Sequence, residues 1–264
     1  MPELPEIYHL KDQLEEVLID KIIKNIVIKQ PKSFNLSHKD FSNHSVNTQI
    51  EAITAKGKWL FIRLSNNHTI AINLGMGGEL TYLDHVLEKK HQGEIHFTDN
   101  SILNIRFWWF GHVHLIKENE KHKPTDSLAI DYFDKTFTKS YFKETLKGRR
   151  GMLKNILLNQ KVMSGIGNYY IHDILYVAKI HPKRKIPTLK ETELARLYEA
   201  INTELYTAYT LGGSYYEQDI YQNKGQFKAD KVAYKEDKKC PLGHVVKKIK
   251  TGQTTSYICP VCQK

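Results

Sequence analysis

The stretch KVMSGIGNYYIHDILYVAKIHP, residues 161–182, carries the strongest local pattern of the chain. Gly165, Gly167 and Asn168 predict a tight turn between the segment LKNILLNQ and a helix that begins near Asn168. Backbone N–H groups at a glycine-rich turn and a helix N-terminus can bind a phosphate-sized anion, as in helix–turn–helix elements on nucleic acid. A glycine-containing corner between two helices, without any ligand, is equally consistent with these residues.

The segments on either side of this turn have different patterns. Residues 1 to about 118 contain one amphipathic helix and then short β-rich runs broken by Gly and Asn, which predicts a β-sandwich with a flanking helix. Residues 119–136 form a polar, Pro-containing linker, and residues 137–220 are largely of helical periodicity. Residues 221–264 are Lys-rich and hold the cysteines. We therefore predict an α+β multidomain protein.

Composition and charge narrow the functional class. The 264 residues are 41% hydrophobic and 26% charged, as in globular proteins, and no run of about 18 apolar residues predicts a membrane span. The N-terminus lacks an apolar signal core, which predicts a cytoplasmic protein. Residues 1–140 carry a net charge of −1, whereas residues 141–264 carry +11. This asymmetry indicates nucleic-acid contact in the second part, although a solubilising charge excess would give the same balance.

The N-terminus, MPELPE, allows two interpretations. Pro5, Glu3 and Glu6 suit the first turn of a helix, because proline needs no N–H partner there and carboxylates complement the helix dipole. Alternatively, removal of the initiator methionine exposes the secondary amine of Pro2. Such an amine can attack a carbonyl-like carbon and form a Schiff base, with the two glutamates moving protons.

The cysteines lie together near the C-terminus. Cys240, Cys259 and Cys262 are the three cysteines of the chain, so a complete disulfide framework is excluded. Their clustering, with CPVC closing the set, favours a metal site.

MPELPE at the start, GIGNYY…HP in the middle and the cysteine ribbon at the end together resemble the formamidopyrimidine-DNA glycosylase/endonuclease VIII family, in its formamidopyrimidine branch. The resemblance covers essentially the whole chain in the right order. It implies a catalytic N-terminal β-sandwich, a helix-two-turn-helix DNA-binding domain, a lesion-capping loop near 212–227 and a C-terminal zinc-ribbon hairpin.

The family resemblance also implies an activity. The chain would be a monomeric, bifunctional DNA glycosylase and AP lyase of base excision repair. It would excise damaged, mainly oxidised, bases from double-stranded DNA through an N-terminal proline Schiff base and then cleave the backbone by β,δ-elimination. Abasic sites would be substrates as well.

The resemblance assigns catalytic roles to four residues. Pro2 matches the nucleophile that attacks C1′ of the damaged nucleotide, and Glu3 matches the proton donor for sugar-ring opening. Glu6 matches a supporting carboxylate. Lys58, in AKGKWLFIRL, matches a β-hairpin lysine that contacts phosphate beside the lesion, and a cation there would provide electrostatic stabilisation.

A second set matches side chains that fill the gap left by an extruded base. Met76 in LGMGG and Phe110 in FWWFG match two of them. Trp108 and Trp109 stand where the family usually has two arginines. An indole can stack on an orphaned base but has a single N–H donor, so the preference for the opposite base is open.

The second half of the chain matches phosphate-binding positions at Lys154 and Asn168, and Asp173 stands where the family usually has Glu. In KTGQTTSYICPVCQK, Gln253 replaces an arginine that contacts phosphates in the family. Glutamine can donate a hydrogen bond to a phosphate but adds no charge.

The family usually binds zinc with four cysteines spaced C-x2-C-x16-C-x2-C. Gly243 occupies the second cysteine position here, and His244 follows it. Three cysteines and one histidine are a standard structural zinc set. We predict a Zn²⁺ site formed by Cys240, His244, Cys259 and Cys262. A partial or lost site, or reduced thiols in a metal-free hairpin, are the alternatives.

Other functions remain open at this stage. A relative that binds damaged DNA but cleaves it poorly would explain the altered wedge residues and Gln253. An RNA-binding zinc-ribbon protein would fit the charge but not MPELPE. The loop content favours oxidised purines, whereas the tryptophan-containing wedge would also suit oxidised pyrimidines, abasic sites or bulkier lesions.

Overall fold

A computed structural model describes residues 1–264. The chain forms two compact units: Met1–Asp126 with Leu211–Gln226, and Ser127–Thr210 with Phe227–Lys264. The predicted helical region, 137–220, and the predicted C-terminal region, 221–264, are therefore both divided, because residues 211–226 fold with the first unit. Ile220 explains the division: its side chain is buried in the sandwich core, and its carbonyl accepts the N–H of Tyr82 at 2.9 Å.

The first unit is a β-sandwich with a flanking helix. Its elements are α1 (Leu4–Leu18), β1 (Ile23–Ile28), a 3₁₀ turn (Pro31–Ser33), α2 (His38–Ser45), β2 (Ile50–Lys56), β3 (Trp59–Leu64), β4 (His68–Asn73), β5 (Glu79–Leu83), β6 (Gly93–Phe97), β7 (Ile102–Arg106), β8 (His112–Lys117) and α3 (Lys123–Asp126). The strands form two four-stranded sheets of order β1-β6-β7-β5 and β2-β3-β4-β8. All neighbouring strands are antiparallel.

Period-two patterning explains the core of this unit. In β3, Leu60, Ile62 and Leu64 are fully buried, whereas the intervening Arg63 is exposed. Helix α1 adds the buried Leu14 and other apolar residues to the same cluster. Each such side chain contributes roughly 1.5–3 kcal/mol on burial, so the sandwich has a large apolar core of its own.

The second unit is helical with a C-terminal hairpin. Its elements are α4 (Lys139–Leu146), α5 (Leu153–Leu157), α6 (Ile171–Val177), a 3₁₀ turn (Ile186–Thr188), α7 (Glu191–Thr210), β9 (Lys247–Thr251) and β10 (Thr254–Ile258). Helix α6 begins at Ile171 rather than near Asn168, because residues 168–170 continue the preceding turn. No helix of the chain is both long and apolar enough to span a membrane.

Candidate active site and nucleic-acid interface

The start of α1 holds three of the predicted catalytic residues. Pro2, Glu3 and Glu6 are buried. Glu3 is the N-cap residue, and its N–H donates to Glu6 Oε2 at 2.8 Å. A carboxylate in the first turn satisfies a backbone donor and complements the positive helix end. The local helix signal therefore fixes the orientation of the glutamates directly after Pro2.

A loop distant in sequence holds the other oxygen of Glu6. The N–H of Ser214 donates to Glu6 Oε1 at 2.7 Å. Gly213 has a φ of +87°, and a Cβ added there would lie 2.8 Å from Glu6 Cγ. Only glycine permits this approach without strain. The sequence pattern indicates a Gly-bounded loop at 212–227 but gives no sign that it contacts Glu6.

Lys58 lies at the tip of the β2–β3 hairpin. Gly57 has a φ of +59°, which makes the tight turn possible, and the Lys58 side chain is half-buried. The Lys58 carbonyl accepts from Asn73 Nδ2 at 2.9 Å. The backbone that carries this lysine is therefore held by the neighbouring strand β4.

The predicted wedge residues come together in the first unit. The Met76 N–H donates to the Trp109 carbonyl at 2.8 Å, and the Trp108 N–H donates to the Met76 carbonyl at 2.9 Å. The exposed fractions are 46% for Met76, 65% for both tryptophans and 76% for Phe110. Gly75 allows the approach, since a Cβ there would lie 2.2 Å from the Trp109 carbonyl oxygen. An exposed apolar group of this size is typical of a binding surface.

Arg106 supports this surface and is not indicated by the sequence pattern. Its guanidinium donates to Glu79 Oε1 at 2.8 Å and lies 5.9 Å from the Trp108 ring centroid. Glu79 begins β5 and Arg106 ends β7, and the two residues are paired across these strands. The sheet therefore supports the position of the Trp108 ring.

In the second unit, the glycine turn is braced by Gln160, another residue that sequence reasoning misses. Its Oε1 accepts the Gly165 N–H at 2.9 Å, and its Nε2 donates to the Ile166 carbonyl at 2.9 Å. Gly165 has a φ of +102°. Asn168 follows this turn, half-buried, and its buried Oδ1 has no hydrogen-bond partner in the structure.

Lys154, predicted to contact phosphate, is fully buried in the structure. Its Nζ donates to Ser256 Oγ at 3.0 Å and to the Thr255 carbonyl. Burial lowers the pKa of this ammonium to about 8. Both of these partners are neutral oxygens.

Gln253 is exposed at the tip of the β9–β10 hairpin. At the preceding residue, Gly252, φ is +58° and an added Cβ would lie 2.6 Å from Asn155 Nδ2. The hairpin tip therefore packs against α5. Gln253 lies in the β9–β10 hairpin, and Lys154 of α5 donates hydrogen bonds to the same hairpin. The separation of the two residues in the sequence does not indicate this proximity.

Asp173 holds a segment of backbone in place rather than facing solvent. Its buried carboxylate accepts the N–H groups of Lys231, Val232 and Ala233 at 2.9, 2.8 and 3.0 Å. Three donors on one carboxylate compensate for its burial. Asp173 thus anchors the chain segment that leads to the first cysteine.

The candidate metal centre closes the second unit. The ligand atoms of Cys240, His244, Cys259 and Cys262 all lie within 4.8 Å of one another. His244 Nδ1 is 3.7 Å from Cys240 Sγ and 3.3 Å from Cys262 Sγ. A tetrahedral ion with bonds of about 2.3 Å to sulfur and about 2.0 Å to nitrogen would separate such atoms by roughly 3.5 Å. The four side chains therefore fit one metal ion, and Gly243, with a φ of +82°, forms the turn that lets His244 join the set.

Comparison with known proteins agrees with this architecture. The sequence model of the formamidopyrimidine-DNA glycosylase N-terminal domain matches residues 1–132, and that of the formamidopyrimidine-DNA glycosylase H2TH domain matches residues 128–219. A formamidopyrimidine-DNA glycosylase of Bacillus cereus is 30% identical over 275 residues, covering 100% of this chain and 99% of the relative. One of Rickettsia bellii is 30% identical over 276 residues and covers 100% of both chains.

Solved structures give the same result. The Lactococcus lactis enzyme in complex with N7-benzyl-Fapy-dG DNA matches with a TM-score of 0.91 and 26% identity over 100% of both chains. Its complex with abasic-site DNA matches with a TM-score of 0.90 and 25% identity over 99% of both chains. The predicted α+β fold, with a β-sandwich, a helical domain and a C-terminal cysteine hairpin, is confirmed.

Fold and site together define a DNA glycosylase of base excision repair. The chain belongs to the formamidopyrimidine-DNA glycosylase family.

Proposed function

We propose that this protein is a bifunctional glycosylase that removes oxidised bases from duplex DNA and cleaves the resulting abasic site as an AP lyase. The observation that carries the proposal is the buried Pro2-Glu3 pair at the helix start, with Glu6 held by Ser214. A protein that only binds DNA has no need of an N-terminal amine beside two buried carboxylates.

The amine of Pro2 supplies the electron pair for the first step. Once the initiator methionine is removed, its nitrogen bonds to C1′ as the glycosidic bond breaks, and the departing base takes up a proton. The nitrogen then loses its own proton, and its electron pair expels O4′ from C1′ as Glu3 gives O4′ a proton. Because proline is a secondary amine, the resulting Schiff base is a cationic iminium at C1′. Glu6, with both oxygens occupied by backbone donors, keeps the helix start in place during these steps.

Elimination follows from the iminium, whose positive charge acidifies the C2′ proton. A base removes that proton, and the electrons expel the 3′-phosphate in β-elimination. A second elimination expels the 5′-phosphate, and water hydrolyses the iminium to restore Pro2. Lys58, on its braced hairpin, stabilises the phosphate charge beside the lesion.

The remaining predicted residues bind DNA. Met76, Trp108, Trp109 and Phe110 fill the space of the extruded nucleotide and stack on the orphaned base. In the second unit, Asn168 and Gln253 contact phosphates, and Lys154 adds positive potential from its buried position.

The cysteine–histidine centre fits zinc, and we propose Zn²⁺ as its occupant. In chain order, its ligands are Cys240, His244, Cys259 and Cys262. Four protein ligands leave no open position, so the ion would stabilise the hairpin and take no part in the reaction.

Borohydride trapping tests the proposal. The purified protein is incubated with a labelled duplex that carries one abasic site, alongside Pro2→Gly and Glu3→Gln. Wild type should form a covalent adduct that Pro2→Gly abolishes, while DNA binding persists. A folded, DNA-binding wild type that forms no adduct would identify the chain as a damage-binding relative without lyase chemistry.

That second candidate rests on the substitutions at Trp108, Trp109 and Gln253. We assign these positions to DNA binding and lesion recognition. The residues that match the family's catalytic set, Pro2, Glu3, Glu6 and Lys58, are all retained. We therefore expect these substitutions to alter which lesions are excised and to leave the reaction itself unchanged.

A further inference from the structure

Three histidines of the first unit come together on the outer face of the β2-β3-β4-β8 sheet. His112 and His114 alternate with the buried Val113 along β8, so both side chains point away from the core. The third, His122, follows β8 in the chain, and its carbonyl accepts the N–H of Thr125 at 2.9 Å. This turn holds the backbone of His122 at the start of α3.

Two of these imidazoles meet through their ring nitrogens. His114 Nδ1 lies 2.8 Å from His122 Nε2, and the ring planes are at 90° with centroids 5.1 Å apart. The other nitrogen of the second ring, His122 Nδ1, lies 2.7 Å from Thr125 Oγ1. A hydrogen bond at the second nitrogen is the usual accompaniment of a metal-binding histidine, because it fixes the orientation of the ring. Thr125 therefore orients His122 toward His114.

The third imidazole and a tryptophan complete the cluster. The His112 ring centroid is 5.3 Å from that of His114. The buried Trp59 indole lies beside all three imidazoles, with its centroid 6.4, 6.0 and 5.4 Å from those of His112, His114 and His122. His112 is exposed, so an ion from solvent can reach the cluster on its side.

We propose that His114 and His122 form a second metal site, with His112 as a third ligand, for a tetragonal dication such as Ni²⁺ or Cu²⁺. Imidazole nitrogens are good ligands for these ions. The ion takes the place of the hydrogen between His114 Nδ1 and His122 Nε2, and that hydrogen moves to His114 Nε2, so both rings stay neutral.

The separation of the two nitrogens decides the class of ion. Two ligands at right angles, each about 2.1 Å from a metal, lie about 3.0 Å apart, whereas a tetrahedral angle requires about 3.4 Å. The observed 2.8 Å between His114 Nδ1 and His122 Nε2 is closer to the first value. The site should therefore prefer tetragonal ions to zinc, which suits the tetrahedral set of cysteines and His244 in the second unit.

Nickel binding to the zinc-loaded, untagged protein tests the site. Calorimetry should find one Ni²⁺ site per chain that binds further Zn²⁺ more weakly. His114→Gln and His122→Gln should each weaken Ni²⁺ binding at least about tenfold, and the exposed His112→Gln should weaken it less. Ni²⁺ should also quench tryptophan fluorescence, and Trp59→Phe should keep the calorimetric site but lose most of the quenching, because this indole adjoins the imidazoles.

His68→Gln is the matched control. His44 and His68 also form a pair, with centroids 4.9 Å apart, but their planes are at 17°. Imidazole lone pairs lie in the ring plane, so stacked rings do not direct them at one ion. His68→Gln should keep the wild-type Ni²⁺ affinity.

Circular dichroism establishes which variants are folded, and three results would overturn the site. The first is a folded wild type that binds no Ni²⁺, and the second is unchanged affinity in folded His122→Gln. The third is a loss in His68→Gln as large as that in His122→Gln. If His114→Gln does not fold, His122→Gln and the exposed His112→Gln decide between these results. Tighter binding of Zn²⁺ than of Ni²⁺ would overturn the tetragonal preference.

Discussion

The β-sandwich and the C-terminal hairpin differ in what stabilises them, which is a large apolar core in the first and a small apolar cluster beside a candidate metal centre in the second. The sandwich encloses a large continuous cluster that includes Leu14, Ile62 and Leu103, all fully buried. The hairpin has a small cluster of four buried residues, which are Val232, Cys240, Val246 and Cys259. Two of those four are candidate metal ligands.

The difference in the size of the apolar core predicts how strongly a substitution or the loss of a metal destabilises each region. A large apolar core spreads its stability over many contacts, whereas a small one needs another source, such as a metal. The candidate catalytic residues stand on the large core, and Gln253 stands on the small one. The following tests compare the two regions.

The largest effect should come from losing the metal. Structural zinc contributes about 10–16 kcal/mol of apparent binding energy in zinc-finger peptides, so chelation or Cys259→Ser should unfold the hairpin. All three tryptophans, Trp59, Trp108 and Trp109, belong to the first unit. Tryptophan fluorescence should therefore stay native while affinity for abasic DNA falls at least about tenfold. Leu242→Ala, exposed between the ligands, is the control. Stoichiometric metal analysis that finds no zinc would contradict the assignment.

A cavity in the sandwich should have the next largest effect. Leu103 is fully buried in β7, so Leu103→Ala should lower the free energy of unfolding by about 2–5 kcal/mol through lost burial and an unfilled cavity. Urea unfolding followed by tryptophan fluorescence measures it. The half-exposed Val86→Ala should change stability by less than about 0.5 kcal/mol. Equal effects of the two variants would mean that the core is not close-packed at Leu103.

Acid should weaken the sandwich through a histidine cluster on its outer face. His114 Nδ1 lies 2.8 Å from His122 Nε2, and burial and then repulsion from His122 and His112 lower the pKa of His114 to about 4. The folded state therefore binds fewer protons than the unfolded state between pH 4 and the ordinary value of 6.5. Stability should be fully present above pH 6.5 and decline as the pH falls toward 4.

His114→Gln removes that titration, so stability measured from pH 7 to pH 4 should fall less steeply, by up to about one proton per molecule. Parallel slopes for wild type and His114→Gln would exclude His114 as the source.

The smallest effect should come from the hairpin tip. Gln253→Arg adds one cation at an exposed position, so it should tighten binding to abasic DNA a few-fold and steepen the salt dependence by about one unit of slope. Gln222→Arg, which is also at an exposed position but on the first-unit loop, should change both the affinity and the salt slope less than Gln253→Arg does. An unchanged salt slope for Gln253→Arg would show that the tip does not reach a phosphate.

Sequence reasoning performs well where a signal is local. A proline and two glutamates predict the helix start, alternation predicts the buried face of β3, and closely spaced cysteines predict the candidate metal centre. Each of these signals acts over a few residues, through backbone donors, strand pleating or ligand spacing. The same reasoning gives no sign that β10 covers Lys154, because the contact joins residues that are far apart in the chain.

By itself the sequence determined the order of elements, the family and the residue types available for chemistry. Only the tertiary structure decided which of them meet: Ser214 with Glu6, Lys154 with Ser256, and His244 with the cysteines. The physical reason is that local preferences extend over one turn or one hairpin. Contacts between residues far apart in the chain depend on how whole sheets and helices bury their apolar faces, and that is a property of the complete fold.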